Sequence, residues 1–371
     1  MRLERICLRD FRNYKTLSLP LSAGLNVFWG ANAQGKTNLL ETVVCAALGR
    51  SHRAAKDAEM VRWDCDSAYM ALDFERLGAK NRLELYFSRE KRRKVLRNGM
   101  TIPLRDLIGT LNAVLFSPED LSLVKGSPQG RRRFLDAEIS QGSSAYYHAL
   151  LQYHRLLNQR NALLKNIRGR LDATSLLAPW DAQLAKGAAY IATARRKATA
   201  KISHYAARMQ KYLTGGAEQL SLVYTVHGEA EGWPLAQNLE TWYNNKLKER
   251  QSLDMMRGVT SVGPQRDDVQ VLLDGRSLKS YGSQGQQRTG VLSLKLAELA
   301  FLRAETGAYP ILLLDDVLSE LDKARQKALL AFVQKEQVQT LVTTTEKTPF
   351  PPEATFYQVE KGTIICTGNG R

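Results

Sequence analysis

Val27-Phe28-Trp29-Gly30-Ala31-Asn32-Ala33-Gln34-Gly35-Lys36-Thr37 is the stretch that decides the fold. An apolar run ends at Trp29, a G-x-x-x-x-G-K-T loop follows, and Asn38-Leu39-Leu40-Glu41 reads as the opening of a helix. This is a phosphate-binding P-loop in its strand–loop–helix setting. Gly30 and Gly35 let the backbone fold tightly, so that the N–H groups of residues 30–37 point at phosphate. The helix N-terminus adds the positive end of its dipole. Lys36 is expected to reach the β- and γ-phosphates of ATP, and the Thr37 hydroxyl to sit on Mg²⁺. The alternative, a chance glycine turn before a surface helix, does not explain why strand, loop and helix stand in register.

Downstream, Ile311-Leu312-Leu313-Leu314-Asp315-Asp316 reads as a buried strand ending in two carboxylates, the Walker B pattern. Asp315 is expected to hold Mg²⁺ through water, and Asp316 to orient or deprotonate the attacking water. Ser319-Glu320-Leu321-Asp322 follows directly. Upstream, Ser283-Gln284-Gly285-Gln286-Gln287 opens a helix, where the Ser283 hydroxyl and the Gly285 N–H form a second anion site. One P-loop already serves the phosphates, so this second site makes most sense facing ATP held by another copy of the chain. Near the N-terminus, Phe11-Arg12-Asn13-Tyr14 is a turn between short strands. Arg12 is a candidate phosphate contact there, or equally a solvated turn residue.

Between these parts the texture changes. Strands dominate to about residue 103, including a hairpin around Asn98-Gly99. Its basic approach, Arg89-Glu90-Lys91-Arg92-Arg93-Lys94, is either a DNA-phosphate contact or a solubilised edge strand. After Gly130, Leu150, Tyr153, Leu157, Leu164 and Ile167 hold a helical period. A second helix from Pro179 steps by threes and fours to Met209 and, unbroken to Leu213, would be roughly 50 Å long. Arg195-Arg196-Lys197 on this helix is another candidate phosphate contact. The expected organisation is an ATPase head from residues 1–125 and 258–371, interrupted by a mostly helical arm over 126–257 with a strand near 220–226. The last third alternates helix 285–305, strand 311–315, helix 322–335 and strand 339–344. A loop is expected at Pro349 to Pro352, before a closing hairpin.

The 371 residues include 44% hydrophobic ones, enough for a real core, and carry a net charge of +16. Such a charge points to a polyanionic partner, most simply nucleic acid. Four scattered cysteines (Cys7, Cys45, Cys65 and Cys366), without a CxxC, argue against a disulfide framework or zinc site and fit a reducing cytosol. The N-terminus lacks the apolar core of a secretory signal, and no apolar run is long enough to span a bilayer, so no membrane role is expected.

Together these motifs resemble the ABC-type ATPase heads of the SMC group, and within it the RecF family of bacterial DNA replication and repair proteins. The resemblance covers essentially the full length. It rests on Phe11 to Tyr14, the P-loop through Glu41, Ser51-His52-Arg53, Ser117-Pro118-Glu119-Asp120, Gly263-Pro264-Gln265-Arg266-Asp267-Asp268, the Ser283 signature and Leu314 to Asp322. It implies an α/β head, a mixed sheet with flanking helices, carrying an inserted α-helical arm. Further implications are an ATP-dependent homodimer, preference for double-stranded DNA and single-strand–double-strand junctions, partnership with RecR and RecO, and help in loading RecA at gaps and stalled forks. Such a protein would be cytoplasmic and associated with the nucleoid. Three departures bear on the chemistry. Gln265 stands where the family commonly has His. Thr343-Thr344-Thr345 stands where many ABC ATPases place a switch histidine. Asp316 stands where many have Glu. The last two lead us to expect slow hydrolysis, with Asp322 of a facing copy as an alternative base. Two rivals share the P-loop. A transporter nucleotide-binding subunit would carry an L-S-G-G-Q-type signature and a switch histidine. A non-hydrolytic DNA-binding scaffold would show no turnover that DNA accelerates.

Overall fold

The computed structural model describes residues 1–167, 171–229, 233, 238–345 and 350–369. Of the loop expected at Pro349 to Pro352, Pro349 lies outside these residues. The chain divides into two compact units: Met1–Asp120 with Lys295–Arg371, and Leu121–Leu294.

The first unit holds two six-stranded sheets. One is antiparallel throughout, in the order Tyr14–Pro20, Arg2–Phe11, Ser67–Arg76, Ala79–Ser88, Lys94–Arg97, Met100–Ile102. The other runs Thr363–Asn369, Thr355–Glu360, Leu25–Trp29, Thr340–Thr344, Ile311–Asp315, Ala113–Phe116. It is parallel except for its first, edge strand. Parallel strands covered on both faces read as continuous apolar runs rather than alternating ones. Ile311–Asp315 and Thr340–Thr344 are accordingly buried at every position. Asn26 is a polar exception inside a central strand, and the turn before it satisfies its amide through Ser22 and Gly24. The Gln339 side chain bonds both the N–H and the carbonyl of Leu3, filling the place of a strand partner where the first strand bulges between Leu3 and Arg5.

The P-loop helix, Lys36–Leu48, is buried from Leu39 to Ala47 without a break. A helix buried on every side belongs in the interior, and this one lies within the cluster that includes Leu3, Phe28, Met70, Leu313 and Leu341. Burying Leu39, Leu40, Val43 and Val44 stabilises it by roughly 1.5–3 kcal/mol each. Gly49 stops it in the left-handed conformation at φ 66, its N–H returning to the Cys45 carbonyl.

The second unit contains the helices Pro128–Gly142, Ser144–Asn166 and Ala178–Thr214 and a three-stranded sheet. The longest helix has 37 residues, about 55 Å. The boundary expected at residue 257 lies instead at 294. The reason is pairing: Asp268–Leu273 runs antiparallel to Leu220–Thr225, which ties residues 258–294 to the inserted segment. Towards its end the inserted segment forms two helices, Leu239–Glu249 and Gln251–Arg257, with Arg250 between them. Pro118–Leu121 forms a 3₁₀ turn, and the Asp120 carboxylate within it accepts from the N–H of the preceding Ser117.

Candidate nucleotide-binding site

The P-loop owes its shape to three residues with positive φ: Gly30 at 153°, Ala33 at 63° and Gly35 at 112°. A Cβ on Gly30 would stand 2.4 Å from the Val359 carbonyl oxygen, so only glycine fits. Neighbours hold the loop from outside. The Asn13 amide and the Gly362 N–H both donate to the Gln34 carbonyl, and the Tyr14 hydroxyl donates to that of Gly35. No side chain caps the helix that follows. Its first-turn N–H groups are therefore left for an anion.

The chemistry converges at the mouth of this loop. Lys36 is buried, and its Nζ donates to the carbonyls of Gly30 at 2.5 Å and Ala31 at 2.8 Å. Burial lowers its pKa, against the pull of Asp316 and Asp315. The Thr37 hydroxyl donates to Asp315 Oδ1 at 2.9 Å, and the Thr343 hydroxyl to the same oxygen at 2.7 Å. Thr343 also accepts from the Asp316 N–H at 3.0 Å, so one residue fixes the Asp315 carboxylate and the Asp316 backbone. Asp316 sits at φ 55, a strained conformation for a non-glycine residue. Burial raises its pKa, Lys36 opposes that shift and Asp315 adds to it. A carboxylate of raised pKa close to a cation is suited to accepting a proton. Thr37 and Asp315 are hard oxygen donors beside a phosphate cradle, which suits Mg²⁺. Among the described residues no group of three or more His, Cys, Asp or Glu side chains could hold a metal. Mg²⁺ here would thus draw its other ligands from phosphate and water.

Arg12 has a different task from the phosphate contact considered for it. Its Nε and Nη2 donate to the two oxygens of Glu41 at 2.8 and 2.7 Å, and its Nη1 to the Glu59 carbonyl. Glu41 is fully buried on the P-loop helix and also accepts from the Ser51 hydroxyl. Ser51 in turn accepts from the N–H groups of Arg53 and Ala54. The chain Arg12–Glu41–Ser51 thereby sets the loop that delivers Arg53. With Asn38, Arg53 lines both a cleft of about 350 Å³ at the P-loop and an adjoining cavity of about 710 Å³ rimmed by Trp63. The sequence shows Ser51-His52-Arg53 as a motif but gives Arg53 no role; Thr343 stands out only as the residue at the switch-histidine position, and Trp63 carries no motif signal.

The signature lies in the second unit. Ser283 and Gln286 form a reciprocal cap: the Ser283 hydroxyl accepts from the Gln286 backbone N–H at 3.2 Å, and the Gln286 side-chain Oε1 from the Ser283 N–H at 2.8 Å. Ser283, Gln284 and Gly285 are exposed, open to a partner. Asp322 caps the helix Lys323–Lys335, accepting from the Arg325 N–H and pairing with its guanidinium. Those bonds hold its carboxyl below the usual range, which makes it a weak proton acceptor compared with Asp316. Several cations considered for DNA contact are occupied within their own unit. Arg195 is buried on Asp136 and the Pro264 carbonyl, and Arg93 pairs with Asp57. Arg131, outside those candidates, forks onto Asp268. Gln265 accepts from the Tyr153 hydroxyl at 2.5 Å, a structural anchor.

Residues 2–364 match the family described as RecF/RecN/SMC N terminal domain. The DNA replication and repair protein RecF of Heliobacterium modesticaldum is 42% identical, the match covering 98% of this chain and 99% of that one. A solved structure of the recombination mediator protein RecF-ATP in the RecFOR pathway is similar at 32% identity and a TM-score of 0.90, over 99% of this chain and 98% of that one. The Smc head domain with an extended coiled coil from Pyrococcus furiosus shares the fold alone, at 16% identity and a TM-score of 0.57, over 99% of this chain and 96% of that one.

Proposed function

The chain belongs to the RecF/RecN/SMC N-terminal domain family, and from that premise we propose that it is a DNA replication and repair protein that uses ATP to gate its hold on DNA. The observation that carries this reading is the convergence of Lys36, Thr37, Asp315 and Asp316 on one cleft at a P-loop. The triphosphate would lie there, its oxygens on the N–H groups of residues 30–37 and the Lys36 ammonium. The nucleoside would occupy the adjoining cavity, which Arg53 and Trp63 border. Thr37 and Asp315 would hold Mg²⁺, which when bound offsets the charge developing on phosphate. Asp316 would take the proton of the attacking water, with Thr343 fixing its backbone. The short Asp316 and the absence of a histidine after residue 227 support slow turnover; that DNA accelerates it is part of the proposal.

The exposed Ser283 and Gly285 would meet ATP held by a second copy, making ATP the bridge of a homodimer. By kinship with the RecF relatives, the protein works in the recombination pathway on duplex DNA and single-strand–double-strand junctions, with RecO and RecR, to help load RecA at gaps and stalled forks. Among the described residues no helix is long and apolar enough to cross a membrane. We place the protein in the cytoplasm, on the nucleoid when DNA-bound. The test is ATP turnover with and without duplex DNA. Acceleration by duplex is expected; turnover indifferent to duplex would contradict gating, and no turnover at all would favour a scaffold that uses ATP only as glue.

A further inference from the structure

We propose that the exposed face of the helix Ala178–Thr214 is a docking track for duplex DNA phosphates. The inference rests on the reading of the protein as a DNA binder and gives that activity a place. Lys186, Tyr190, Lys197, Lys201, Arg208 and Lys211 are all exposed. Their spacing of three, four and seven residues puts them on one stripe of a helix. From Lys186 to Lys211 the stripe runs about 38 Å. The whole 37-residue helix contains one acid, Asp181, and that one is buried against Arg160.

Several cations of the first unit are instead compensated: on its antiparallel sheet Arg2 pairs with Glu4 and Arg82 with Asp73, and Arg62, in the loop before the strand Ser67–Arg76, pairs with Asp10. On the long helix, Arg195 points inward to Asp136 and is lost to solvent. Lys186, Lys197, Arg208 and Lys211 make no ion pair among the described residues. Uncompensated charges of one sign in a row along a rigid rod repel each other. A polyanion of matching length relieves that repulsion, and duplex DNA presents one charge per about 1.7 Å of its axis. An acidic protein face could satisfy the charges but not their extended, regular spacing so well.

The test is duplex binding by fluorescence anisotropy between 50 and 200 mM salt, with ATP present throughout. The triple variant Lys197→Gln, Arg208→Gln, Lys211→Gln removes three phosphate contacts from exposed helical positions. The slope of log affinity against log salt should become shallower by about 2.7, at roughly 0.9 per contact. ATP affinity and thermal melting should stay at wild-type values. A matched variant on the sheet surface, Arg5→Gln, Lys15→Gln, Lys80→Gln, should keep the wild-type slope. Wild-type binding with an unchanged slope in the helix variant, or an equal loss in the sheet variant, would overturn the track and leave the helix face to an acidic protein partner. A wild-type chain that binds no duplex would instead overturn the functional reading, and the track with it.

Discussion

Glu41→Gln tests the brace behind the nucleotide site. The carboxylate is fully buried, accepts two bonds from Arg12 at 2.8 and 2.7 Å, and accepts a third from Ser51. Glutamine keeps the volume, but it removes the negative charge and turns an NH₂ donor toward the Arg12 guanidinium. Breaking a buried pair from one side costs 3–5 kcal/mol. With the Arg12 side chain 19% exposed, the low end applies, about 3 kcal/mol. For a unit of this size that lowers the melting temperature by about 6–12 °C. The pH dependence has a definite sign. Burial pushes the Glu41 carboxyl up, but the Arg12 and Ser51 bonds outweigh it and leave the folded pKa below the ordinary value. A depressed carboxylate contributes its full stability above the unfolded pKa, about 4.3, and loses it as pH falls through the folded value. Wild type and variant should therefore differ at neutral pH and converge in acid. Freed from Glu41, Ser51 no longer fixes the Arg53 loop, so ATP affinity should weaken about tenfold, or 1.4 kcal/mol. Differential scanning calorimetry across pH, with titration calorimetry for ATP, reads all three effects. A melting temperature within 2 °C of wild type at neutral pH would refute the brace.

Lys36→Ala removes the cation at the P-loop mouth and should abolish tight ATP binding with the fold intact; wild-type affinity by calorimetry would dismiss the P-loop assignment. Asp316→Asn should keep ATP binding and slow turnover by about 10²–10⁴-fold, because an amide cannot take the proton, while Asn tolerates φ 55 as well as Asp does. Persistent turnover in that variant would move the base to another group. Gly30→Ala sets a Cβ 2.4 Å from the Val359 carbonyl oxygen and should lower stability by about 1–3 kcal/mol, visible as a lower melting temperature and absent if the loop is malleable.

What was legible in the sequence is what short-range pattern encodes. The P-loop, the Walker B strand and the signature helix are contiguous motifs, and the structure builds an element from each. Partnerships across the chain are not written this way. Arg195 reads as one cation in a basic triplet, yet it is buried against Asp136, 59 residues away. Arg131 meets Asp268 across 137 residues. A solvated arginine and a paired one look alike until the fold brings the acid to it. The same holds for Arg12, whose partner Glu41 sits inside the quoted P-loop stretch without announcing its role. The boundary at residue 294 depended on strand pairing between Leu220–Thr225 and Asp268–Leu273, and alternation alone does not name a partner.

Light scattering of the protein with Mg²⁺ and either ATP or ADP, at one concentration, addresses ATP gating most directly. If ATP bridges the P-loop of one copy and Ser283 of another, the mass should double with ATP and return to that of one chain with ADP. Ser283→Arg places a bulky cation at the exposed cap and should spare nucleotide binding while keeping the chain monomeric. A wild type that stays monomeric with ATP, or a Ser283→Arg variant that still doubles its mass, would contradict the gate.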